Sequence, residues 1–90
     1  MASRQTFTVL NRGNRDLFVT INDLNESGSP TVWVDERLNE GAAADVQLTV
    51  DGSREARVTW RAMRSDGVGE PEISSDMRVD EGDVIEVYVR

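Results

Sequence analysis

The sequence is a small acidic chain of 90 residues with a net charge of −7, which predicts a single domain around one hydrophobic core. All ten basic residues are arginines, and lysine, histidine and cysteine are absent, which excludes disulfides, thiolate or imidazole catalysis, Schiff-base chemistry and the usual zinc sites. The excess of negative charge argues against a nucleic-acid partner, because phosphate contacts need clustered cations.

Alternation of apolar and polar residues predicts about seven strands and no helix. The first three strands have their apolar positions at Phe7 and Val9, at Leu17, Val19 and Ile21, and at Val32 and Val34. The other four have theirs at Val46, Leu48 and Val50, at Ala56, Val58, Trp60 and Ala62, at Ile73, Met77 and Val79, and at Ile85, Val87 and Val89. Trp60 is in phase with its apolar neighbours and is therefore predicted to anchor the core.

The segments between these strands are rich in Gly, Asn, Asp and Ser, the residues that favour turns. Seven short strands at this spacing predict an all-β fold, an antiparallel β-sandwich, as a single domain over residues 1–90. The cluster NRGNRD after the first strand is interpreted as a hairpin turn, with a ligand site as the alternative. Strands 46–50 and 56–62 either form a hairpin with an odd-numbered loop or belong to different sheets, because any other register puts their apolar faces out of phase.

Two segments resemble known β-sandwich modules. VLNRGNRDLFVTI resembles the N-x-G turn that opens many bacterial immunoglobulin-like modules, and LNEGAAADVQLTV is similar to a stretch of fibronectin-type adhesion domains. This resemblance implies an immunoglobulin-like Greek key and a non-enzymatic adhesion, spacer or recognition module. It implies no particular site residue.

Asp23, Asn25 and Ser27 reproduce the opening of a calcium-binding loop, in which oxygen ligands alternate along the chain. The bidentate glutamate that closes such a loop is replaced by Val34, so an Asx-rich turn is the competing interpretation. The acidic loops around Asp66 and around Asp80 are a further hypothetical calcium site. We expect no cofactor, with Ca²⁺ as the alternative.

Four residues are predicted to bind a partner. Arg57 and Arg61 project from one face of a single strand, where they could bind a carboxylate or pair with acidic neighbours. Trp33 and Tyr88 fall on the polar side of their strands, where an aromatic ring could stack on a sugar or anchor a protein, unless both faces of the strand are covered. We therefore predict that these four side chains share one contact surface.

The leading functional hypothesis is a non-catalytic module that binds a protein or a glycan through a sheet face or loops. The alternatives are a structural assembly subunit that pairs with other copies through its sheet edges, and a calcium-binding module. An enzyme that uses paired carboxylates such as Asp80 and Asp83 is not expected. The sequence has neither a secretory signal nor a membrane span, so cytoplasm is the default location and an extracellular one is the alternative for an excised domain.

Overall fold

The computed structural model describes residues 3–89 as eight β-strands, with no helix among them. The strands are β1 (Ser3–Asn11), β2 (Leu17–Asp23), β3 (Thr31–Leu38), β4 (Ala43–Val50), β5 (Glu55–Arg64), β6 (Glu72–Ile73), β7 (Met77–Asp80) and β8 (Val84–Val87). The all-β prediction is confirmed. The sixth predicted strand is interrupted and forms β6 and β7, which accounts for the additional strand.

The strands form a three-stranded sheet in the order β4-β1-β8 and a five-stranded sheet in the order β3-β2-β5-β6, with β7 also paired to β5. The chain crosses from one sheet to the other four times, and two of those crossings correct or decide a prediction. β1 and β2 lie in different sheets, so the hairpin interpretation of NRGNRD is wrong. β4 and β5 also lie in different sheets, which decides between the two alternatives for that pair. β8 runs parallel to β1, so the pairing is not purely antiparallel.

The buried side chains of both sheets belong to one hydrophobic core. Trp60 is 5% exposed, as predicted from its phase, and it lies opposite Ile21 in the β2–β5 pair. Phe7, Leu48 and Ile85 supply large core side chains from the three-stranded sheet. Burial of a side chain of this size stabilises a fold by about 1.5 to 3 kcal/mol, which makes these residues the main source of stability.

β3 carries two bulges against β2 that change which side chains face the core. Val19 pairs with Glu36 and Ile21 pairs with Trp33, so Val34 and Asp35 both lie opposite the single residue between Val19 and Ile21. An extra residue in a strand reverses the alternation beyond it. Trp33 therefore packs against the core and Val34 is 67% exposed, the reverse of the prediction for both residues.

The break between β6 and β7 has the same consequence. Ile73 pairs with Arg61, and Met77 pairs with Val58, so the outer strand has one more residue than β5 over this interval. Ser74 occupies the break, where its hydroxyl accepts a hydrogen bond from the Trp60 backbone N–H at 2.8 Å. Ile73 consequently points away from the core and is 65% exposed, although it was predicted to share a buried face with Met77.

Candidate functional site

The predicted calcium residues tie the β2–β3 loop to neighbouring strands. Asp23 is fully buried, and its two carboxylate oxygens accept hydrogen bonds from the backbone N–H groups of Asn25 at 3.2 Å and Thr49 at 2.9 Å. The Asn25 amide donates to the carbonyl oxygens of Thr49 and Glu55. Ser27 is exposed. Within residues 3–89 no three acidic side chains converge on a point that could hold a metal ion.

A depression of about 540 Å³ lies beside this loop and includes Asp51 and Arg54 in its lining. One Asp51 carboxylate oxygen accepts hydrogen bonds from the backbone N–H groups of Glu55 at 3.1 Å and Ser53 at 2.8 Å, which lower the pKa of Asp51. Arg54 forms an ion pair with Glu81 at 3.3 Å. Asp51 and Arg54 therefore already have partners in and around the turn between the two sheets. Neither side chain is free to bind a ligand in the depression.

The four residues predicted to bind a partner do not share one surface. Trp33 faces the core side of the five-stranded sheet, whereas Arg57 and Arg61 lie on the opposite side. Tyr88 packs edge-on against Trp60, with ring centroids 5.4 Å apart, and the Arg12 guanidinium lies 5.1 Å from its ring centre. The prediction of one joint surface is therefore wrong. Trp33 faces the core because of the bulge in β3, and Tyr88 packs against the core through its contact with Trp60.

Arg57 and Arg61 differ in their ion pairing. Arg57 forms an ion pair with Asp76, whose carboxylate raises the pKa of the Arg57 guanidinium. Arg61 is exposed and makes no ion pair with any residue from 3 to 89. A guanidinium without a partner can donate hydrogen bonds to a carboxylate or carbonyl group from another molecule. Arg61 is thus the stronger candidate for a contact residue.

Arg61 lies on the side of the five-stranded sheet that faces away from the core, which we call the outer face, and exposed apolar side chains lie in the same cross-strand row. Ile73 lies directly opposite Arg61 on β6, and Thr20 lies opposite it on β2. Beyond Thr20 the bulge of β3 adds Val34. The most exposed apolar side chains of the five-stranded sheet, Val34 and Ile73, therefore lie in the same cross-strand row of the outer face as Arg61, with Ile73 adjacent to it and Val34 beyond Thr20.

A second row on the outer face adds an aromatic ring. Phe18 on β2 pairs with Met63 on β5, and both are half-buried. The Arg37 guanidinium lies over the Phe18 ring, 5.9 Å from its centre. Phe18 breaks the alternation of its strand, since it stands between the buried residues Leu17 and Val19. That irregularity is a signal in the sequence, whereas alternation predicts Val34 and Ile73 in the core and gives no sign of their exposure.

Comparisons with known proteins find no matching family model, no matching curated protein and no matching solved structure. The part of the chain that the structure describes contains no candidate transmembrane helix. Function is therefore inferred from the chemistry of the outer face and of the sheet edges.

Proposed function

We propose that this chain is a non-catalytic binding module that recognises a protein partner through the outer face. The observation that supports this proposal is the row in which Arg61, which makes no ion pair within residues 3–89, lies beside exposed Ile73, with exposed Val34 two strands away on the other side. Arginine beside apolar side chains is a composition enriched where binding energy concentrates, because the guanidinium orients a partner while the apolar groups lose water on contact.

A protein partner fits the outer face better than a glycan does. Sugar binding depends on an aromatic ring whose flat face is open to stack against the sugar. Trp33 packs against the core, and Tyr88 contacts Trp60 and Arg12. On the outer face itself, the Phe18 ring is half-buried and lies beneath Arg37.

We further propose that the two sheets pack face to face as a β-sandwich with an immunoglobulin-like Greek key. Two features support this arrangement: the inward side chains of both sheets belong to one core, and the chain repeatedly crosses between the sheets. In such a sandwich one face of each sheet is buried and the other is open to a partner. The outer face would then be a rigid, preformed surface.

The test is capture of a partner from cells that express the chain, with the wild type compared with Arg61→Ala and Ile73→Ser. Each substitution should weaken binding by at least about 1 kcal/mol, or about fivefold, and leave the melting temperature nearly unchanged. Arg4→Ala is the matched control, because Arg4 is an exposed strand arginine on the three-stranded sheet. A partner that binds all four chains equally would contradict the proposal.

A structural subunit is the second candidate, because both sheets end in strands that lack a neighbour on one side within residues 3–89. Open edges allow pairing between copies of a chain. Sedimentation that changes with protein concentration would favour this role. Calcium binding is not proposed, since the Asp23 carboxylate is fully buried and bonded to backbone N–H groups.

A further inference from the structure

A cleft of about 320 Å³ lies where the edges of the two sheets approach each other, and it shares only Ile73 with the outer-face row described above. Its lining includes Trp60, Glu72, Ile73, Met77, Glu86 and Tyr88. One wall is formed by β6, β7 and the break between them, and the other by β8 and the residue that follows it. A molecule in this cleft would contact both sheets at once.

The edge of β8 that faces away from β1 has no neighbouring strand among residues 3–89. Ile85 and Val87 lie opposite Val9 and Asn11 of β1, and the Val87 carbonyl oxygen accepts a hydrogen bond from the Arg12 backbone N–H at 2.9 Å. Backbone groups of successive residues in a strand point to opposite sides. The N–H and C=O groups of the intervening residue, Glu86, therefore point towards the open edge.

We propose that this edge accepts an extended basic peptide from a protein partner, which adds to β8 as a further strand. Strand addition uses the open backbone groups for hydrogen bonds and pockets beside the edge for alternate side chains. Here the apolar side chains of the added strand would cover Trp60, Met77 and Ile73. The side chains between them would lie near the carboxylates of Glu72 and Glu86.

The carboxylates beside this edge and the net negative charge of the chain favour a basic peptide. Glu72 makes no ion pair with any residue in the described range, and Glu86 is bound by Arg12 at 2.8 Å on an exposed part of the surface. The chain as a whole carries a net charge of −7. A peptide with lysine or arginine at alternate positions would be attracted to the edge, whereas an acidic peptide would be repelled.

A second copy of the chain fits this edge poorly. An antiparallel pair of β8 strands would bring the Asp83 and Glu86 carboxylates of one copy near those of the other, and the two copies would each carry the same net charge. Like charges placed opposite each other across a strand pair are destabilising.

The test uses the full chain labelled with ¹⁵N and a synthetic peptide of about eight residues that alternates valine and lysine, a typical strand length. Titration should shift the amide signals of Val84 and Glu86 and saturate. Methylating the backbone nitrogens of one alternate set of peptide residues should abolish binding, and methylating the other set should leave it unchanged, because only one side of the peptide faces β8.

Charge variants complete the test. Glu72→Gln and Glu86→Gln should each weaken binding of the lysine peptide about two- to fivefold, whereas Glu40→Gln, in the exposed β3–β4 turn, should leave it unchanged. A peptide with glutamate in place of lysine should not bind. Equal binding of the glutamate peptide, absence of saturable binding by the lysine peptide, or dimerisation through β8 would each overturn the proposal. Ile73 borders both surfaces, but Arg61 does not line the cleft, so loss of peptide binding does not by itself contradict the outer-face proposal.

Discussion

Asn11 shows how a single buried side chain can stabilise a crossing between the two sheets. Its amide nitrogen donates to the carbonyl oxygens of Arg15 and Leu38 at 2.8 and 2.9 Å, and its Oδ1 accepts a hydrogen bond from the Gly13 backbone N–H at 2.9 Å. The residue is 1% exposed. Each such bond contributes about 1 kcal/mol, and a buried carbonyl left without its donor costs more. The first residue of the NRGNRD cluster is therefore structural.

Two neighbouring carboxylates give the fold a pH-dependent contribution. Glu55 lies opposite Asp80 in the β5–β7 pair, and a hydrogen bond with the Asp80 side chain, aided by desolvation, raises the pKa of Glu55 above 4.5. The folded protein thus holds this proton more tightly than the unfolded chain does. The resulting stabilisation is complete below pH 4.5 and is lost as the pH rises through the raised pKa of Glu55.

Asp66 contributes with the opposite sign. The Val68 backbone N–H and the Arg64 guanidinium lower the pKa of Asp66 below 3.8. Its stabilisation is present above pH 3.8 and is lost as the pH falls through the lowered value. Lowering the pH therefore removes the repulsion between Glu55 and Asp80, and it also weakens the turn that Asp66 stabilises.

We expect Glu55→Gln to melt at a higher temperature than the wild type at pH 7, because glutamine removes the charge that Asp80 repels. The difference should shrink as the pH is lowered through the raised pKa of Glu55 to values below 4.5, where Glu55 is protonated in both states. Thermal unfolding followed by circular dichroism over this pH range measures the effect. Glu40→Gln controls for the change in net charge. A difference that does not depend on pH would contradict the interpretation.

Irregularities in the strands determine which apolar side chains are exposed at the candidate site. In β3 the extra residue turns Trp33 inward and Val34 outward, and between β6 and β7 a second extra residue turns Ile73 outward. The β3 bulge opposite Thr20 and the break between β6 and β7 lie on strands that flank the central pair β2 and β5. The apolar residues beside Arg61 are exposed for this reason, so the proposed contact surface depends on the two irregularities.

Deletion of Asp35 tests the bulge in β3 directly. The shortened strand would still place Trp33 opposite Ile21, because the deletion removes the extra residue, which has a φ of 48°. Loss of the hydrogen bonds between Asp35 and Thr20 and relief of the left-handed backbone oppose each other, so stability should change by no more than about 1 kcal/mol. Chemical denaturation followed by tryptophan fluorescence measures stability, and a shift of the emission maximum, to which Trp33 and Trp60 both contribute, reports a change in the burial of Trp33.

The matched control is deletion of Thr20 from β2, a regular strand paired on both sides. That deletion shifts half of a central strand to the wrong face and should abolish cooperative unfolding. A chain lacking Asp35 that unfolds, or whose tryptophan emission moves to longer wavelengths, would show that Trp33 does not depend on the bulge in this way.

The alternation of residues predicted where the strands lie and most of the core, including Trp60, because a strand with one buried face needs apolar residues at every second position. It also placed Arg57 and Arg61 on one face. It did not predict the side chains beyond a bulge, as Trp33 and Ile73 show, since an inserted residue leaves no local mark. The parallel pair of β1 and β8 was also missed, because alternation identifies a face and not a neighbour.

For the whole molecule, the shared core links the stability of the two sheets. Phe7, Val9 and Ile85 from the three-stranded sheet are buried in the same cluster as Ile21 and Trp60 from the five-stranded sheet. In the proposed sandwich neither sheet could keep its apolar face covered if the other unfolded. A 90-residue domain of this kind is expected to unfold in one cooperative transition.

Substitution of Ile85 by valine tests this coupling. Ile85 is fully buried in β8, and loss of one methylene group there should destabilise the fold by about 0.5 to 1.5 kcal/mol. Because both tryptophans, Trp33 and Trp60, belong to the other sheet, their fluorescence reports on unfolding away from the substituted strand, while far-ultraviolet circular dichroism reports on both sheets. If the sheets share one core, both signals should shift to the same lower denaturant midpoint.

Val84→Ala, at the neighbouring 46% exposed position, should shift neither signal appreciably. A shifted circular dichroism midpoint with an unchanged fluorescence midpoint would show that the sheets unfold independently, and the sandwich arrangement would then be wrong.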